Sequence, residues 1–171
     1  MWFKFYDKLI LKYANLVNTL ILLAIFALFS LVIFPALTNK SNITPLDLQY
    51  FYSADKAYNT IAQLTPQERA QYIITECTAD AVYPIVYTLL LSFALFLLYH
   101  KLWLVKMPLF IFLFDYTENS CIIILLYKYP TELNTLATLT GFLSGIKWVL
   151  VLIIVLIAFV GLLNSLRKLV F

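Results

Sequence analysis

Charged residues and glycine are both scarce in this chain of 171 residues. Only 12% of the residues are charged, which is about half of the roughly 25% that is usual in soluble domains. The three glycines are too few for a loop-rich fold. The apolar runs are long and do not alternate with a two-residue period, as the strands of outer-membrane barrels do. These features exclude an ordinary soluble domain and a membrane barrel.

Histidine and cysteine are nearly absent, which limits the chemistry. Cys77 and Cys121 form no C-x-x-C pair, so no thiol–disulfide relay and no cysteine metal site are indicated. His100, the single histidine, follows an apolar run and is interpreted as a boundary residue. We therefore predict no metal and no cofactor, and the sequence identifies no catalytic residue. No basic face interleaved with aromatic residues is present, so nucleic acid is not an expected partner.

Long hydrophobic runs dominate the chain, which is 63% hydrophobic. Four segments, at about 14–37, 80–99, 108–127 and 141–163, are long enough to cross a hydrocarbon layer of about 30 Å at roughly 1.5 Å per residue. The first is interpreted as a retained span, because its apolar core is longer than the roughly 7–15 residues of a signal peptide. The sequence predicts an all-α fold: a single integral membrane domain built as a four-transmembrane-helix bundle.

The basic residues are distributed unevenly between the two sides of these spans. Cytoplasmic loops of membrane proteins carry an excess of lysine and arginine. We therefore predict a multi-pass protein of the cell (inner) membrane with both termini in the cytoplasm. The richer side holds Lys4, Lys8, Lys12, Lys101, Lys106, Arg167 and Lys168, and the other side holds Lys40, Lys56, Arg69 and Lys128.

The only sizeable polar region is the external segment at about 38–79, between spans one and two. Ser53 is a candidate N-cap for a short helix. Thr65, Pro66 and Glu68 have the spacing of a capping box with proline at the first helical position, which predicts a helix starting at Pro66. These signals predict a short extracytoplasmic helical cap.

Span three carries polar residues near its middle. Asp115, Glu118 and Asn119 are three and four residues apart, so they project from one helix face, while Phe110 and Leu113 lie on the opposite face. A charged side chain at the centre of a membrane helix costs roughly 2.5–3.5 kcal/mol. The economical arrangement turns this stripe towards the interior of the bundle.

Other spans offer groups that could meet this stripe. Lys147 in span four lies at a depth from which its long side chain reaches Glu118, which predicts a partly buried ion pair. Asn18 and Thr19 in span one are expected at about the level of Asp115. Two interpretations remain open: polar contacts that only hold the helices together, and a site that binds a ligand or handles protons.

Three quoted segments resemble a family. The stretches "YSADKAYNTIAQLTPQERAQYI", "DAVYPIVY" and "PLFIFLFDYTEN" are similar to uncharacterised bacterial four-span integral membrane proteins with D-x-x-Y-P-x-x-Y and D-x-x-E-N motifs. The resemblance implies no activity. In length and layout alone, the chain also resembles the emopamil-binding (EXPERA-type) proteins. The absence of a histidine within the spans limits that likeness to an acid-lined lipophilic pocket, without sterol isomerisation.

The favoured function is binding of a lipophilic small molecule or a membrane lipid in an intramembrane pocket. One alternative is an accessory subunit that meets a membrane-protein partner. The other is a membrane enzyme in which a buried carboxylate transfers protons. The candidate ligand-binding residues are Asp115, Glu118, Asn119, Lys147, Asp80, Tyr83 and Tyr87.

Overall fold

Helices form all the regular structure in the described part of the chain. The computed structural model describes residues 2–38 and 43–170, and the predicted all-α fold is confirmed there. Residues 39–42, including Lys40 of the predicted external segment, lie outside the described residues. The helices are α1 (Trp2–Tyr13), α2 (Leu16–Leu28), α3 (Phe34–Thr38), α4 (Ala54–Gln63), α5 (Pro66–Cys77), α6 (Ala79–Tyr99), α7 (Met107–Lys128) and α8 (Asn134–Val170), with a π-helical turn at Phe29–Ile33 and 3₁₀ turns at Leu46–Leu48 and Leu104–Lys106.

Four helical stretches in the described residues are long and apolar enough to cross a membrane, as the sequence predicts. They are Leu16–Thr38, Pro66–Tyr99, Leu104–Lys128 and Asn134–Lys168. The second stretch begins before residue 80 because α5 leads into α6 with only Thr78 between them. The fourth begins at Asn134, earlier than the expected 141, because no glycine or proline interrupts the helix between these positions.

Local capping explains where the two short helices before α6 begin. The Ser53 side chain accepts a hydrogen bond from the backbone N–H of Lys56 at 3.3 Å and caps α4. At the start of α5, Glu68 accepts from the backbone N–H of Thr65 at 2.7 Å, and Thr65 Oγ1 accepts from that of Glu68 at 3.3 Å. Both predicted helix starts are thus confirmed, and each cap satisfies N–H groups that the helix itself leaves unpaired.

Helix α6 lies at the centre of the packing, against α2, α7 and α8, while α7 and α8 pair extensively with each other. Helix α4 packs on α8, and α5 packs on α6 and α7. Helix α2, in contrast, buries no residue in the described structure. An apolar helix that covers its surface so little within the chain is suited to lipid contact on most of its circumference.

Two separate apolar cores fill the opposite ends of the molecule. One joins α4 and the Leu46–Leu48 turn to α7 and α8, with Ile61, Ile122 and Leu125 fully buried. The other joins α1, α6, α7 and α8. A cavity is lined by members of both cores, among them Leu64 of the first and Ile111 of the second.

Side-chain contacts place several segments at the same end. Asp7 of α1 pairs with Lys106 at 3.1 Å, next to the turn between α6 and α7. The Tyr99 hydroxyl donates to the backbone oxygen of Ile157 at 2.7 Å, which brings the C-terminal part of α8 to the same end. At the other end, Arg69 of α5 stacks on the Tyr129 ring at 4.6 Å. The N-terminal helix and the α6–α7 turn are therefore on the side opposite α4 and α5.

Candidate functional site

A buried lysine joins two carboxylates of α7. Lys147 Nζ of α8 lies 2.8 Å from Asp115 Oδ1 and 2.6 Å from Glu118 Oε2. The exposed fractions of the three residues are 6%, 5% and 0%. The predicted pair between Lys147 and Glu118 is confirmed, and Lys147 also reaches Asp115. Burial makes each charge costly, so the three ionised groups depend on one another.

The predicted polar stripe of α7 does face the interior of the molecule. Asp115, Glu118 and Asn119 are all buried, whereas Phe110 and Leu113 on the opposite face are 53% and 59% exposed. The one-turn spacing of the stripe brings all three groups to the surface that α7 presents to α6 and α8.

Helix α6 adds further polar contacts to this stripe. The Tyr87 hydroxyl donates to Asp115 Oδ2 at 2.9 Å. Asn119 Nδ2 donates to Asp80 Oδ2 at 2.7 Å, and Asp80 is only 7% exposed. The Asp80 side chain is buried because it faces α7. All of these polar residues come from the predicted set.

Sequence reasoning missed Asp47. It lies in the short 3₁₀ turn before α4, and its backbone oxygen accepts from Lys147 Nζ at 3.1 Å and from Trp148 Nε1 at 3.3 Å. Its Oδ1 accepts from the Tyr72 hydroxyl at 2.6 Å. Burial raises the pKa of the Asp47 carboxyl, an effect that Lys147 and Tyr72 oppose. Nothing in the sequence around Asp47 indicates that it folds back onto α8.

Glu76 was also missed, although the sequence carries a signal for it. It is four residues before Asp80, so a helix running through both positions places them on one face. Glu76 is 3% exposed, and its Oε2 has no hydrogen-bond partner among the described residues. Carboxylate oxygens of Asp47, Glu76 and Asp80 all lie within 4.8 Å of one another. The acidic group is therefore larger than the stripe on α7.

A cavity of about 990 Å³ borders these groups. Five of the seven predicted ligand-binding residues line it: Asp80, Tyr83, Tyr87, Asp115 and Lys147. The other two, Glu118 and Asn119, are not among its lining residues. Instead, they stand behind the wall and contact the lining residues Lys147 and Asp80. From these positions, Glu118 and Asn119 can hold the Lys147 and Asp80 side chains in place at the cavity wall.

The rest of the cavity wall is largely apolar. Phe26 and Phe34 from the first spanning stretch, Leu91 from α6, Ile111 from α7 and Val151 from α8 all contribute. One region of the lining is thus acidic, and the remainder is mostly apolar, with some hydroxyl and amide groups such as those of Thr60 and Gln71. A molecule with a polar head and an apolar body matches this distribution.

The first spanning stretch supplies a different polar group from those expected. Asn18 Nδ2 donates to the backbone oxygen of Tyr13 at 2.8 Å, and Thr19 Oγ1 donates to that of Asn15 at 2.8 Å. These side chains bond locally at the start of α2, and neither lines the cavity. Ser30 lines the cavity instead, with its Oγ 2.9 Å from the Tyr83 hydroxyl.

Comparison of the chain with protein-family models, curated proteins and solved structures finds no match. The resemblance to four-span bacterial membrane proteins and the layout shared with EXPERA-type proteins therefore stay predictions. What the site can do must be inferred from its own groups.

Negative charge is in excess in this site. Among the described residues it contains the clustered acids Asp47, Glu76, Asp80, Asp115 and Glu118. Glu68 adds a further carboxylate to the cavity lining, whose only basic residue in the described part of the chain is Lys147. Ionised carboxylates without a partner are costly in a medium of low polarity, so such a group binds protons or cations. The cavity is accordingly suited to hydrogen-bond donors and positive charge.

Proposed function

We propose that the chain is a multi-pass protein of the cell (inner) membrane. It is a four-helix bundle in which α4 and α5 form an extracytoplasmic cap and both termini lie in the cytoplasm. The richer basic side in the sequence comprises the N-terminal helix, the α6–α7 turn and the C-terminus. The pairing of Asp7 with Lys106 supports this arrangement, because it joins two of these segments at one end.

Cysteine labelling tests this topology. In a Cys77→Ser, Cys121→Ala background, Asp55→Cys on α4 should react with a membrane-impermeant maleimide in intact cells, because Asp55 is exposed in the proposed cap. Lys101→Cys, in the exposed α6–α7 turn, should react only after the membrane is permeabilised. The reverse pattern would overturn the orientation, and labelling of both sites in intact cells would overturn the four-span arrangement.

We propose that this protein binds a lipophilic small molecule or a membrane lipid. The observation that carries the proposal is the cavity of about 990 Å³, with its acidic groups in one region and apolar side chains elsewhere. Ligand pockets of proteins measure roughly 300–1,000 Å³ and combine apolar walls with a few polar groups that orient the ligand. The cavity is at the upper end of this range.

The two regions of the wall assign parts of the ligand. The apolar body lies between Phe34 and Val151, and the polar head lies near Asp115 and Tyr87. Because acids predominate there, the head donates hydrogen bonds or carries positive charge. Lys147 is occupied by its two carboxylates, so an anionic head gains little from it.

Filling the cavity tests ligand binding. Val151→Trp places an indole in the cavity and should reduce the ligand retained by the purified protein on the order of tenfold, since overpacking costs roughly 1–3 kcal/mol and each 1.4 kcal/mol is about tenfold in affinity. Native mass spectrometry after extraction in a mild detergent, with lipid analysis of the same sample, measures retention.

Val149→Trp is the matched control. Val149 is on the same helix, is 47% exposed and does not line the cavity, so its variant should retain ligand like the unmodified protein. Equal retention by both variants, or no retained molecule in the unmodified protein, would contradict the proposal. A membrane protein that copurifies in equal amount would point to an accessory subunit, and turnover dependent on Asp115 would point to an enzyme.

A further inference from the structure

Three acids from three different elements converge beside the cavity. Asp47 comes from the Leu46–Leu48 turn, Glu76 from α5 and Asp80 from α6, and each offers a carboxylate oxygen within 4.8 Å of the other two. All three residues line the cavity. Carboxylates so close together repel one another unless a proton or a cation lies between them.

The neighbouring donors satisfy only part of this group. Tyr72 bonds one oxygen of Asp47, and Asn119 bonds one oxygen of Asp80. Lys147 Nζ is directed to other carboxylates.

Glu76 is the decisive member of the group. Its side chain is 97% removed from solvent, as its exposed fraction of 3% indicates, and its Oε2 has no hydrogen-bond partner in the described ranges 2–38 and 43–170. A buried carboxylate oxygen without a donor is rare and costly. Its proximity to two further carboxylates limits the partners that would satisfy it to a shared proton and a cation, and the convergence of three carboxylates on one point favours the cation.

We propose that Asp47, Glu76 and Asp80 bind a hard divalent cation of the Ca²⁺ class. Carboxylate oxygens are preferred ligands of such ions, and Ca²⁺ takes them at roughly 2.3–2.6 Å. Two ligands of one Ca²⁺ can therefore be no more than about 4.6–5.2 Å apart. The three carboxylate oxygens, all within 4.8 Å of one another, are close enough together to share one such ion.

Such an ion fastens the region before α4 to the membrane helices. Asp47 belongs to the turn that precedes α4, whereas Glu76 and Asp80 flank Thr78, where α5 gives way to α6. Because Asp47 is far from Glu76 and Asp80 in sequence, binding closes two chain segments onto each other and stabilises the folded state by mass action. The ion also adds positive charge to a group of acids whose cavity has Lys147 as its only basic lining residue among the described residues.

Thermal unfolding with and without calcium tests the site. Purified protein in detergent, freed of retained lipid, is melted in a chelator and in millimolar CaCl₂, with NaCl of equal ionic strength as the reference. We expect CaCl₂ to raise the Tm by roughly 5–10 °C when its concentration is about a hundredfold above Kd. The double variant Asp47→Asn, Glu76→Gln should lose this shift whatever its own Tm in chelator.

The control pair is Asp55→Asn, Glu132→Gln. Both residues are exposed and outside the cluster, and the pair removes the same two charges. It should keep the full calcium shift. If the unmodified protein shows no shift beyond that in NaCl, or if the cluster variant keeps it, the proposal is wrong.

Terbium luminescence supplies a second measurement that does not depend on stability. Trp148 Nε1 is 3.3 Å from the backbone oxygen of Asp47, so Tb³⁺ bound at the cluster receives excitation from that indole. We expect a sensitised signal that Ca²⁺ displaces, that Trp148→Phe weakens and that the cluster variant removes. A signal unaffected by both variants would place Tb³⁺ elsewhere and overturn the site. Both assays use lipid-free protein, so a negative result would count against the cation site alone. The lipid-binding proposal is tested separately by ligand retention in the Val151→Trp variant.

Discussion

Replacement of Lys147 with methionine should destabilise the protein by about 3–5 kcal/mol, because it leaves buried carboxylates without their counter-charge. Lys147 Nζ is 2.8 Å from Asp115 and 2.6 Å from Glu118, and it also donates to the backbone oxygen of Asp47. The variant keeps most of the side chain's volume, so the loss reports charge and hydrogen bonding more than packing. Unfolding free energies from denaturing titrations in mild detergent measure it.

A triple variant that removes all three charges distinguishes the loss of charge pairing from a general loss of packing. In the variant Lys147→Met, Asp115→Asn, Glu118→Gln, no ionised group of the triad remains, and most of the lost stability should return. Lys128→Met is the matched control: Lys128 is exposed at the end of α7, so its loss should cost less than about 0.5 kcal/mol. If Lys147→Met were no more harmful than Lys128→Met, the triad would not contribute to the stability of the fold.

The sequence is informative about this site where local periodicity decides the geometry. A helix fixes the direction of residues three and four apart, so the shared face of Asp115, Glu118 and Asn119 follows from their spacing alone. The depth of Lys147 in its span follows from counting residues along a helix. For the same reason the Glu76–Asp80 spacing is a signal that sequence reasoning can use.

Long-range contacts and helix rotation were not predictable in the same way. Asp47 reaches Lys147 from a turn about a hundred residues earlier in the chain, a separation that no periodic pattern encodes. Whether a polar residue lines the cavity or stands behind its wall depends on how each helix is rotated against its neighbours. That is why Ser30 lines the cavity, whereas the predicted Glu118 does not.

The close approach between α8 and the segment before α4 depends on glycine. A Cβ atom at Gly141 would overlap the backbone oxygen of Tyr52 and lie 2.8 Å from its carbonyl carbon. Backbone atoms cannot rotate away as a side chain can, so the segment itself must shift. It is anchored nearby, where Ser144 Oγ donates to the backbone oxygen of Gln49 at 2.6 Å. A shift at Tyr52 therefore breaks contacts beyond the overlap itself.

Gly141→Ala should consequently destabilise the protein by about 2 kcal/mol and loosen the segment before α4. Overpacking costs roughly 1–3 kcal/mol and a lost hydrogen bond about 0.5–1.5, against a gain of about 1 kcal/mol in helix propensity.

Gly145→Ala is the matched control, one turn along the same helix. Its Cβ would meet the ring of Phe51, which is 56% exposed and free to turn, so the loss should be less than half as large. Unfolding titrations give the energies, and faster proteolysis within residues 43–53 of the Gly141 variant alone would locate the change. Equal stability of the two variants would mean that Tyr52 does not pack on α8 as closely as this structure has it.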